Sequence, residues 1–180
     1  MFFTRILISL FEFILAVVMS GFIIYITYRV FIHANPDFDM EDEIRKGNTA
    51  VGALVGSILV AASMILQKGM ESVVSIFRLH MTTPGSASGF AWWQLGAIAL
   101  GHLTMSLVLA LMTVSITLRL FGKLTTGLQE GKELQRGNLA VGILLSSVVL
   151  VSAMFVGEGV SALSKALVPQ PSIGRIQIMR

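Results

Sequence analysis

Cysteine is absent from the 180-residue chain, which excludes disulfides, thiolate metal ligands and Cys nucleophiles and leaves the redox compartment unreadable. Charge is scarce as well. Asp, Glu, Lys and Arg make up 13% of the residues, about half of the ~25% usual in a soluble domain. That is too little polar surface to cover a fold in water. Apolar residues reach 54% and the mean hydropathy is +0.82, so the chain belongs in a bilayer. The net charge of +3 is not gathered into one basic run, which argues against nucleic acid as a partner. A glycine-rich phosphate loop, a paired-His motif and a nucleophile elbow are also missing. No catalytic residue, metal or cofactor is assigned.

What the chain does have is one stretch written twice. Gly47-Asn48-Thr49-Ala50-Val51-Gly52-Ala53-Leu54-Val55-Gly56-Ser57 returns as Gly137-Asn138-Leu139-Ala140-Val141-Gly142-Ile143-Leu144-Leu145-Ser146-Ser147, with 7 of 11 positions identical at an offset of 90. The register continues without a gap, matching Thr27 with Thr117, Arg29 with Arg119, Glu43 with Glu133 and Gly69 with Gly159. Self-similarity on this scale reads as a tandem duplication. The expected fold class is an all-α membrane protein of four transmembrane helices, a parallel duplication of a two-helix unit. Residues 1–81 form the first unit, 82–90 a linker rich in small residues around Pro84-Gly85, 91–168 the second unit, and 169–180 a mobile tail.

A span needs about 20 apolar residues. Residues 6–32, 49–67, 95–121 and 139–163 qualify. A cleaved signal peptide would account for Arg5 and Ser20-Gly21, but the first run continues past an h-region and its partner at 95–121 cannot be a signal. Residues 70–81 read as an amphipathic extension that lies at the interface or lengthens the second span. Trp92-Trp93 mark an interface.

Between the paired spans lie two polar corners. Pro36 stops the first span, and Asp37 or Asp39 caps a short helix through Arg45-Lys46. Gly47 suits the helix stop and Asn48 the start of the next helix. Asp37, Asp39, Glu41, Asp42 and Glu43 lack the glycine and terminal glutamate of a calcium loop. Asp42 and Glu43 face Arg45 and Lys46 at helical spacing, as a solvated charged surface would. Four spans put both termini on one side, and two-span units related by a twofold along the membrane normal have the same orientation. The corner side carries seven basic residues and the other side six, so the positive-inside rule leans towards cytoplasmic corners and periplasmic termini.

Small residues line one face of each inner span: Gly52, Gly56 and Ser63 on one, Gly142, Ser146 and Ala153 on the other. Such faces allow close backbone approach in lipid, so the two inner spans are expected to pack together, with an oligomer contact as the alternative use. Ionisable groups in the spans form a second set. Glu12 and His102 are equivalent by the 90-residue offset, as are Lys68 and Glu158. At about 1.5 Å per residue all four lie roughly 25–30 Å from the corner side. Lys68 and Glu158 point roughly 160° away from the small-residue stripe, which suggests the pairs Glu12 with Lys68 and His102 with Glu158. Such groups are costly in a span and are usually paired or face a wet cavity. They are read either as two structural ion pairs or as a site for protons, cations or a small solute.

The motif Glu43-Ile44-Arg45-Lys46-Gly47-Asn48 with Ala50 and Gly52, repeated as Glu133-Leu134-Gln135-Arg136-Gly137-Asn138 with Ala140 and Gly142, resembles the YjfL-like bacterial membrane family, a domain of unknown function numbered 350. The resemblance implies a multi-pass inner-membrane protein with a two-span repeat and no assigned activity. Members of that family tend to sit among envelope-stress and ATP-grasp ligase genes, which implies partners rather than solo chemistry. The family supplies no catalytic residues, and the exchanges of Glu12 for His102 and Lys68 for Glu158 argue against a strict motif at those positions. The expected function is a non-enzymatic, self-associating scaffold or partner subunit whose Gly-Asn corners dock a cytoplasmic protein. The alternative is an oligomeric permeation unit that uses Glu12, His102 and Glu158.

Overall fold

A computed structural model describes residues 2–33, 38–82, 91–125 and 127–167. The linker expected at 82–90 lies outside these residues except for Thr82, as do Pro36, Asp37 and the tail at 169–180. Every element in the described residues is helical: α1 (Phe2–Thr27) with a π-helical turn (Tyr28–His33), α2 (Met40–Arg45), α3 (Thr49–Thr82), α4 (Trp92–Leu124), α5 (Glu130–Gln135) and α6 (Leu139–Leu167). Four of them (α1 with its π turn, α3, α4 and α6) are long and apolar enough to cross a membrane. The amphipathic stretch at 70–81 is not a separate element. It continues α3 without a break through Gly69, giving a 34-residue helix.

The four long helices are not equivalent in burial. In its most apolar stretch α3 is 56% buried, against 17%, 22% and 28% for α1, α4 and α6. The sequence of α3 explains why: Ala50, Val51, Leu54, Ile58, Ala61, Ala62 and Ile65 are at most 2% exposed and share one face about 120° wide at about 100° per residue. A face that broad and apolar gives α3 room for more than one partner helix. Its most extensive packing is with α6, then α4, then α1, while α4 also packs on α6. The outer helices turn Phe13, Val17, Val18 and Phe155 outward, a surface suited to lipid.

Two glycines permit the tightest helix contacts. A Cβ on Gly142 would stand 2.7 Å from the Ala50 carbonyl oxygen and 2.8 Å from its Cα, so α6 rests directly on the α3 backbone there. On Gly69 it would stand 2.1 Å from Ser106 Oγ and 2.7 Å from Ser106 Cβ, which fixes α4 against α3. The expected small-residue seam does not involve the stripe on α3. Gly56 and Ser63 are exposed, Gly52 is half-buried, and neither glycine has any neighbour within 4 Å of an added Cβ. On α6, Gly142 and Ala153 are buried and Ser146 is half-buried. Ala50, Ala61 and Ala62 form the buried face of α3 together with Leu54, Ile58 and Ile65, and the stripe lies on the opposite side of the helix, roughly 160° away.

Overpacking a tight site costs about 1–3 kcal/mol, whereas Gly→Ala in an open helical position gains about 0.5–1 kcal/mol. Gly142→Ala and Gly69→Ala should therefore lower the thermal unfolding temperature in detergent, and Gly52→Ala should raise it or leave it unchanged. A seam that tolerates Gly142→Ala as well as Gly52→Ala would contradict this packing.

Candidate functional site

Each Gly-Asn corner is a helix stop and a helix start fused into one turn. Gly47 has φ +81° and Gly137 φ +77°, a left-handed conformation that favours glycine. In the first corner Asn48 N donates to Glu43 O at 3.0 Å and Gly47 N to Ile44 O at 2.9 Å. In the second, Asn138 N donates to Glu133 O and Gly137 N to Leu134 O, both at 2.9 Å. This is the Schellman pattern that satisfies the last carbonyls of a helix. The side chains close the same ring. Asn48 Nδ2 donates to Glu43 Oε2 at 2.9 Å, and Asn138 Nδ2 to Glu133 Oε2 at 2.8 Å. The spacing Glu-x-x-x-Gly-Asn is thus the recipe for a self-closing corner.

The two corners then differ. Asn48 Oδ1 accepts from the backbone N–H groups of Ala50 and Val51 at 3.1 and 3.2 Å, capping α3. Asn48 Nδ2 also donates across the molecule to the carbonyls of Leu134 at 2.7 Å and Gln135 at 3.4 Å. Those carbonyls end α5, where intrahelical donors run out. One side chain thereby joins the α2–α3 corner to the α5–α6 corner. The only side-chain bond of Asn138 among the described residues is to Glu133.

Asp39 is the N-cap of α2, accepting from Asp42 N at 3.0 Å. The acidic group forms a charged surface: Lys46 pairs with Asp42 at 2.8 Å and Glu43 at 3.0 Å, Arg45 with Glu41, and Arg136 with Glu133 at 2.8 Å. Tyr28 donates to Glu41, tying the π turn to α2. Hydrogen bonds from Asn48 and then Lys46 hold the Glu43 carboxyl below its usual range; those from Asn138 and then Arg136 do the same for Glu133. The two carboxylates push Lys46 up to about 12.

The ion pairs expected at the opposite end are replaced by a different one. Lys68 Nζ lies 3.3 Å from Glu158 Oε1, across the α3–α6 seam, and 3.9 Å from Glu71 Oε2. The Lys68 stem passes beside Gly157, at ordinary packing distance (3.7 Å) from where a Cβ would stand. Glu12 is exposed on α1 and has no ion pair among the described residues. His102 is 5% exposed, and its Nδ1 has no hydrogen-bond partner among the described residues. Helical angles alone placed Lys68 against its own outer helix, but a long flexible side chain follows the nearest uncompensated charge.

Sequence reasoning missed a cavity of about 460 Å³ beside the corners. Phe31, Phe38, Leu54 and Ile58 wall it from the first half, and Leu118, Leu134 and Leu145 from the second, with Ser115, Arg119 and Glu130 as polar lining. The π turn contributes Val30 and Phe31. A π turn has no sequence pattern of its own, and single π turns often mark functional places in helices.

The lowered carboxyls of Glu43 and Glu133 give the corners a pH dependence. Their contribution is complete above the unfolded value of about 4.3 and is lost as pH falls through the lower folded values. Hydrogen-exchange protection of the Asn48 and Asn138 backbone amides should be flat from pH 7 to about 5 and fall below about 4. Protection that stays constant to pH 2 would show that the carboxylates do not hold the corners.

No curated protein and no solved structure is a match to the chain. Residues 4–160 match the family model described as Domain of Unknown Function (DUF350), a stretch that contains all four spans up to the Lys68–Glu158 pair and both Gly-Asn corners. By that match the chain belongs to the DUF350 family.

Proposed function

We propose that this multi-pass membrane protein is a non-enzymatic scaffold, a partner subunit of an envelope-associated system in the bacterial inner membrane, whose corner face docks a cytoplasmic protein. The observation that carries the reading is the Asn48 bond to the end of α5, which joins two short charged helices into one face outside the spans. Lys132, Arg136, Gln135, Asp42 and Lys46 stand exposed on that face. A preorganised surface binds with less ordering cost than a pair of independent loops. Self-association remains part of the proposal, supported by the uncovered small residues Gly52, Gly56 and Ser63 on α3.

The permeation reading has less support. Glu12 faces outward, Lys68 is engaged by Glu158, and no hydrogen bond or ion pair joins Glu12 or His102 to that pair among the described residues. Ile58, Ala61, Ala62 and Ile65 pack the middle of α3 with apolar side chains.

A photo-crosslinker at Gln135 in living cells should capture one discrete protein. The capture should drop severalfold when Lys132 and Arg136 are changed to Glu, with membrane insertion unchanged, because rim charges govern encounter. A crosslinker at lipid-facing Phe155 should not capture it. Equal capture from both positions, or indifference to the charge reversals, would sink the scaffold reading.

A further inference from the structure

The corner cavity lies beside the docking face, with α5 contributing to both, and it is built like a ligand site. Its volume of about 460 Å³ falls within the ~300–1,000 Å³ of small-molecule pockets, which are mostly apolar with a few placed polar groups. Arg119, on its wall, lies five residues before the end of α4 at Leu124, or about 8 Å of helix. That is the level at which a long basic side chain meets lipid headgroups.

The charges on the wall are arranged in an unusual way. Arg119 and Glu130 both line the cavity, yet no ion pair joins them, and Arg119 has no acidic partner among the described residues. Glu130 Oε1 accepts from the Thr125 hydroxyl. Its other oxygen, Oε2, lies towards Gly122, a residue of the same wall, 3.8 Å from an added Cβ. The cavity therefore offers a separated cation and anion above apolar walls.

We propose that this cavity binds one phosphatidylethanolamine molecule of the surrounding bilayer, with its phosphate on Arg119, its ammonium on Glu130 Oε2, and an acyl chain against Phe31 and Leu118. The headgroup carries one charge of each sign and supplies N–H donors to the free carboxylate oxygen. Phosphatidylglycerol satisfies Arg119 but brings a neutral glycerol to Glu130, whose charge it leaves uncompensated. Phosphatidylcholine has the charge but no N–H to donate.

The test is native mass spectrometry of the full-length chain in mild detergent, titrated separately with these three lipids. Wild type should bind one phosphatidylethanolamine about tenfold more tightly than either of the others. Arg119→Gln should lose that binding, and Glu130→Gln should erase the preference over phosphatidylglycerol. Gly131 lines the cavity with no atom within 4 Å of an added Cβ, so Gly131→Leu should fill it and abolish the lipid adduct while the helix content is kept. Thermal unfolding gives a readout that needs no cavity-filling variant: phosphatidylethanolamine should raise the wild-type Tm more than phosphatidylglycerol does. Equal binding of the three lipids, equal Tm shifts, or an adduct that survives in folded Gly131→Leu would each overturn the proposal.

Discussion

The α3–α6 seam is pinned at its corner end within three residues of sequence. Asn48 reaches across to the last carbonyls of α5, and two residues later the backbone of Ala50 receives Gly142 without an intervening side chain. A hydrogen bond to a helix end and a close backbone contact are different kinds of constraint. One fixes the distance between the corners, and the other fixes the approach of the helices. Together they set the register in which Leu54 and Ile58 on α3 and Leu145 and Val149 on α6 are buried. At the far end the Lys68–Glu158 pair closes the same seam. In a bilayer, where apolar association between helices has little drive of its own, such specific contacts carry much of the alignment.

This seam explains why α3 is the centre of the molecule and α1 the least covered of the long helices. With α6 on one side and α4 on another, held by Gly69 against Ser106, α3 has one remaining flank for α1. At the end of α1 the π turn carries Tyr28, which meets Glu41 on α2, and Phe31, which lines the cavity. The cavity lies where the two corners meet the ends of α1 and α4 beside the seam.

Local chemistry was legible in the sequence. The four spans follow from composition, and the turn at Gly47 and Gly137 follows from the need for a left-handed residue between two helices. The Asp39 cap and the Lys46 pairs follow from spacing along one helix. The pairing of the two inner spans was legible as well, and α3 packs most extensively on α6; the particular side chains that join the elements were not, for a physical reason in each case. A 90-residue repeat suggests two equivalent asparagines, but among the described residues Asn48 alone bonds to the opposite corner, where the end of α5 presents carbonyls to it. Helical angles say where Lys68 leaves its helix, but not that its flexible stem runs past Gly157 to Glu158. The small-residue stripe on α3 was visible as a pattern, yet pattern cannot tell a seam from an outer face. The cavity and the π turn depend on how helices meet and left no signal in any single stretch.

The claim on which the rest turns is that Asn48, and not its counterpart Asn138, holds the two corners together. Pulsed spin-label distances between exposed positions Ile44 on α2 and Lys132 on α5 test it in bilayer nanodiscs. Asn→Asp keeps the side-chain acceptor but removes both amide N–H donors. Asn48→Asp should lengthen and broaden the α2–α5 distance, while Asn138→Asp should leave it as in wild type. The same distribution from both variants, whether both broadened or both unchanged, would contradict the account.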